Sequence, residues 1–108
     1  MNKDIAVQAP FVKLVMDMST GHIAECACKH LSEPGDILIV DEHEYGWWIR
    51  VPCDDLDDED FRGPFTDRFG YEGQSILDIL RFARKWECDL IHLHAEGYDF
   101  DELHKYDW

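Results

Sequence analysis

The chain has 108 residues, of which 45% are hydrophobic and 13% aromatic, enough for one folded domain spanning 1–108 and unlike a disordered composition. Its 24 acidic and 10 basic residues leave a formal net charge of −14, which disfavours direct contact with nucleic acid or an acidic membrane. No apolar run nears the ~20 residues of a membrane span, and the first eleven residues lack a secretory apolar segment, so a cytoplasmic protein of a host cell is expected.

Read in chain order, "APFVKLVMDM" is rich in branched and apolar residues and predicts a strand over 11–18. Ser19 or Thr20 can cap a helix after it. Ile23, Cys26, Ala27, His30 and Leu31 then recur at helical spacing and define one apolar face. "EPGD" at 33–36 stops that helix. "DILIVDE" (36–42) reads as a buried strand and "EYGWWIRVP" as its hairpin partner, turning near His43 to Gly46. Alternation puts Trp47, Ile49 and Val51 on one face of that strand and Trp48 and Arg50 on the other, so one tryptophan is core and the other faces outward.

Residues 53–73 read as a long irregular acidic loop, of a length that is usually functional or mobile. "QSILDILRFARKWE" predicts a helix, with Ser75 and Asp78 as a capping pair and Ile76, Ile79, Leu80, Ala83 and Trp86 as its buried face. Arg81, Arg84 and Lys85 suit its C-terminal dipole and are expected to pair with Asp78 and the acidic loop. "CDLIHLH" (88–94) reads as the last strand, and 96–108 as an acidic, aromatic tail packing back through Tyr98, Phe100, Tyr106 and Trp108. The order β-α-β-β-α-β predicts a compact α+β domain of the ferredoxin-like or a related kind. Its four-stranded sheet would be mainly antiparallel, with two helices on one face.

The chemistry-bearing residues form few complete sets. His92 and His94 project from one face of a strand, Cys26 and His30 share a helix face, and His104 could add a ligand. "CACKH" lacks zinc-finger spacing. An EF-hand starting at Asp55 finds Asp57 and Glu59 in place but Asp60 where glycine belongs and Thr66 where glutamate belongs. No nucleophile elbow, phosphate loop or dinucleotide fingerprint is present, and a capping role explains Ser19, Thr20 and His22 better than catalysis does. No enzyme, resident metal or cofactor is expected. Four cysteines are read as reduced: Cys26 and Cys28 are too close along a helix to bridge, and nothing requires Cys53 and Cys88 to pair.

The unusual feature is the distribution of carboxylates. Residues 54–60 carry a net −6 and 96–108 a net −4, so two short tracts hold 10 of the 14 net charges. An extended chain over Asp54, Asp55, Asp57, Asp58, Glu59 and Asp60 places about one charge per 4 Å, close to the ~3.4 Å of one DNA strand. Such a run fits a basic groove built for phosphates, with Asp99, Asp101 and Glu102 as a second patch. Trp48, Phe61, Phe65, Phe69 and Tyr71 are candidate apolar anchors. The plain alternative is a solvated, solubilising surface.

Several stretches resemble a small uncharacterised family carried on phages, plasmids and integrative elements. These are Ser19, Thr20, His22 and Ile23, then His43 to Trp47, then Ala83, Arg84 and Cys88, and finally Tyr106 to Trp108. The resemblance implies a mobile-element setting, in which accessory proteins disarm host defences, and brings no catalytic residues. Charge and setting together lead to an expected function: inhibition of a host nucleic-acid-binding defence complex, a CRISPR effector subunit or a restriction enzyme, by nucleic-acid mimicry. Two alternatives belong to other classes. One is an accessory protein acting through a homodimer interface that includes Trp48 or Trp47. The other is a metal-dependent enzyme using His92, His94 and His104.

Overall fold

The computed structural model of the protein describes residues 14–107. Strand β1 (Val15–Ser19) is followed by two 3-10 turns, Thr20–His22 and Glu25–Ala27, and by a short helix α1 (Cys28–Ser32). A hairpin of β2 (Val40–His43) and β3 (Gly46–Arg50) comes next, then helices α2 (Glu59–Phe69) and α3 (Gln74–Lys85), and finally β4 (Leu90–His94). The first expected strand begins in residues 11–13, which lie outside the described residues, as does Trp108.

The domain is α+β with a four-stranded sheet, as expected, but two helices, α2 and α3, stand between β3 and β4 where the sequence pattern predicts one. The sheet is mixed, not mainly antiparallel. Its order is β1-β4-β3-β2, with β1 parallel to β4 and the other two pairings antiparallel. The split pattern keeps a strand between the two that a βαβ unit joins. Here β4 lies against both β1 and β3 and leaves β1 at an edge.

Alternation along the strands separates two faces. Met16, Met18, Ile49, Ile91 and Leu93 are buried in one cluster with Ile23, Ala27, Leu31, Phe65, Phe69 and the apolar face of α3. Asp17, Trp48, His92 and His94 project from the opposite face, which no helix among the described residues covers. Trp47 is half-buried against the core and Trp48 is the outward tryptophan.

The helices differ most from expectation. The first is broken: Ile23 and Ala24 are extended, because the Ala24 N–H is bound by the Ser75 hydroxyl and Ile23 is pulled fully into the core. Ser75 is therefore buried as a tertiary partner, and α3 starts directly from the Gly70–Gly73 turn without a side-chain cap. Trp86 lies beyond α3 and is exposed. The segment 53–73 is not irregular throughout, since it contains α2. Phe61, Phe65 and Phe69, spaced four apart, give that helix a stripe whose latter two rings are buried, and this packing outweighs the break signalled by Gly63 and Pro64. Gly70, at φ 62°, ends α2 in a conformation that favours glycine.

The tail packs back as expected. Ser19 N–H donates to the Tyr98 carbonyl and Tyr106 N–H to the Gly21 carbonyl. A Cβ on Gly97 would sit 2.1 Å from the Met18 carbonyl oxygen, so only glycine lets the tail pass β1 this closely.

Candidate functional site

Two surfaces concentrate chemistry. The first is the acidic segment before α2. Arg84 holds its backbone, donating to the carbonyls of Pro52 (2.6 Å), Cys53 (3.1 Å) and Asp54 (2.8 Å). Leu56 anchors it in the core. Asp55 accepts the Asp57 N–H, and Asp58 caps α2 by accepting the Asp60 N–H. Asp58, Glu59 and Asp60 thus stand at the positive end of a helix dipole, which offsets part of their repulsion. Asp57 pairs with Arg81; among the described residues the other five carboxylates have no basic partner within ion-pair distance.

These contacts correct the extended-chain estimate. The Asp58 N–H bonds back to the Asp55 carbonyl, and the chain enters a helix one residue later. The six exposed carboxylates cluster around a turn instead of lining up like phosphates along a strand. Short aspartate side chains that bind nearby backbone N–H groups favour this turn over an extended run. Phe65 and Phe69 are core and unavailable as anchors, whereas Tyr71 and Trp48 are exposed.

In the tail patch, Asp99 and Asp101 share Lys105 at 3.8 and 3.3 Å, and Glu102 is exposed. Both acidic tracts lean on the last two turns of α3, the first through Arg81 and Arg84 and the second through Phe82 packed on Phe100.

The second surface is the outer sheet face. Strand register sets Asp41, Trp48, His92 and Asp17 in one row across all four strands. Trp48 stacks on His92 with centroids 3.9 Å apart and planes 7° apart. His92 Nε2 meets His43 Nε2 at 3.0 Å, and the carboxylate of Asp17 lies between His92 and His94. His43 Nδ1 receives the Tyr45 N–H, which leaves the ring proton on Nε2 to be donated to His92. The hydrogen bond from His94 is the main reason the Asp17 carboxyl is held below its usual range. Burial first, and then His94 and His43, push His92 down, so its neutral form is favoured.

The sequence paired His92 with His94 and missed Asp17 and His43, which come from strands distant in the chain. His104 lies elsewhere: its carbonyl accepts from the buried His22 ring, and its own ring is exposed. The four cysteines are free; Cys28 and Cys88 are the partly buried pair, and desolvation raises both thiols above their ordinary range. Among the described residues no helix is long and apolar enough to cross a membrane.

Residues 15–108 match the C-terminal domain of a family of unknown function, DUF5983, in keeping with the resemblance to an uncharacterised family. Comparison with curated proteins gives no match, and comparison with solved structures gives none either.

Proposed function

We propose, for a chain that belongs to the DUF5983 family, that it is a binding protein whose acidic surface occupies a basic, phosphate-binding surface of a partner protein and so excludes nucleic acid from it. The partner class is a nucleic-acid-binding defence complex, a CRISPR effector subunit or restriction enzyme. The observation that supports this most is the fixed shape of the acidic segment. Solubility alone needs charge but no order. Here Arg84, Leu56 and two aspartate–backbone bonds hold residues 54–60 in place, while five carboxylates lack a basic partner among the described residues. A prearranged anionic cluster lowers the ordering cost of docking and speeds association by long-range attraction.

Charge can be removed from this segment without removing its holds, because asparagine at position 55 keeps a side-chain oxygen to accept the Asp57 N–H. Asp54, Asp55, Glu59 and Asp60 can be changed to Asn, Asn, Gln and Asn while Asp57 keeps Arg81 and Asp58 keeps its cap. Immobilised protein and this fourfold variant would be compared for capture of a nucleic-acid-binding protein from host lysate, with elution by salt and by duplex DNA. Capture by the native chain alone, reversed by both eluents, is the expected result. Equal capture by a folded variant would remove the acidic segment from the mechanism. A homodimer through the outer sheet face is the weaker reading, because that face presents Asp41, Asp17, His92 and His94 around Trp48.

A further inference from the structure

We propose that Asp17, His92 and His94 bind a divalent transition-metal ion of the zinc type, with one carboxylate oxygen and two imidazole nitrogens as ligands. One potential ligand atom from each residue falls within 4.8 Å of the others. The donors come from regular structure: Asp17 is in register with His92 across the β1–β4 pair, and His94 lies two residues further along the same face of β4. Two neutral imidazoles and a carboxylate are a donor set that zinc accepts, and a fourth position open to water is the pattern of zinc sites with three protein ligands.

The surroundings orient these groups. Tyr98 N–H binds Asp17 Oδ2 at 3.1 Å and leaves Oδ1 toward the histidines. The Trp48 ring stacked on His92 fixes the imidazole plane. A tetrahedral ion with bonds of about 2.0–2.1 Å keeps its ligand atoms roughly 3.4 Å apart. The 3.9 Å gap between His92 Nδ1 and Asp17 Oδ1 must close slightly, and the hydrogen-bonded Asp17–His94 pair must open. Asp17 is 56% exposed in its side chain and has room to turn.

Proton positions change without net loss. His94 moves its ring proton to Nδ1 to free Nε2. His92 frees Nδ1 and donates from Nε2 to His43. His43 then carries its own proton on Nδ1 and gives up the 3.2 Å contact from Tyr45 N–H. His43 becomes the outer-shell acceptor that orients His92. The site shares no residue with the acidic segment, so it stands or falls independently of the proposed partner.

The metal-free 108-residue chain would be titrated with Zn2+ by calorimetry and with Co2+ by visible absorption, with imidazole resonances followed by NMR. The expected result is one ion per chain, cobalt bands of a four-coordinate site, and shifts at His92 and His94 but not at His30 or His104. Asp17→Asn and His94→Gln should each weaken binding beyond the roughly 10–100-fold of an outer-shell change. His104→Ala should leave it intact. No binding, or equal binding by folded Asp17→Asn and His94→Gln variants with the ion held by the carboxylates at 54–60, would overturn the proposal.

Discussion

His22 is buried, and its two ring nitrogens close contacts across most of the chain: Nδ1 to the His104 carbonyl at 3.0 Å and Nε2 to the Phe100 N–H at 2.8 Å. The Phe100 N–H requires a lone pair on Nε2, so the proton sits on Nδ1 and donates to the carbonyl. Ser19 belongs to the same clasp, with its hydroxyl on Gly21 N–H and its own N–H on Tyr98. The Ser-Thr-x-His stretch therefore acts here as a fastening for the tail. His22→Ala removes a buried ring and two part-buried hydrogen bonds and should cost about 2–4 kcal/mol. His104→Ala should cost far less, about 0.5 kcal/mol, because its backbone carbonyl stays and its exposed ring gives up an edge-on contact with Tyr106. Urea unfolding midpoints compare the two, and hydrogen exchange at Phe100 and Tyr106 reports whether the tail is released. Residue spacing alone gave His22 a plausible capping neighbourhood but no hint of its partners about eighty positions away.

At the scale of elements, α2 carries the clearest lesson. Its three phenylalanines repeat every fourth residue, a helical stripe written plainly in "DFRGPFTDRFG". Gly63 and Pro64 in the middle argue locally for a loop, and the acidic lead-in argues for exposed chain. Burial of Phe65 and Phe69 outweighs the hydrogen bond that Pro64 cannot make. The acids before the helix then read as a start signal: an N-cap followed by acids in the first turn. Asp58→Ala should lower stability by about 0.5–2 kcal/mol, whereas Asp58→Asn keeps a cap acceptor and should lose far less. Chemical denaturation of both variants checks this. A result with Asn as damaging as Ala would assign the role of Asp58 to its charge. The broken first helix is the converse case, where a good helical pattern yields to Ser75 and the tail competing for its backbone groups.

For the whole molecule, a net −14 on 108 residues makes self-repulsion a global term. Among the described residues the one ion pair of the acidic segment and the two at Lys105 answer little of it, and surface pairs of this kind contribute little. Stability should therefore rise when sodium chloride goes from about 10 mM to about 0.1 M, as the Debye length shrinks from about 30 to 10 Å. The fourfold neutral variant of Asp54, Asp55, Glu59 and Asp60 should show a weaker rise. Thermal unfolding at several salt concentrations measures both; a native chain indifferent to salt would mean that the carboxylates are already compensated in the fold.

What depends on neighbours along the chain was legible in the sequence by itself: four strands, most of the apolar face of α3, one inward and one outward tryptophan on β3, and two concentrated acidic tracts. Those follow from alternation, helical spacing and charge, which are local periodicities. Only the tertiary structure decided the parallel pairing of β1 with β4, the helix hidden behind Gly63-Pro64, the folded shape of the acidic run, and the meeting of Asp17 and His43 with His92 and His94. Strand order and register arise from which apolar faces can be buried together, and that competition is settled among residues far apart in the chain.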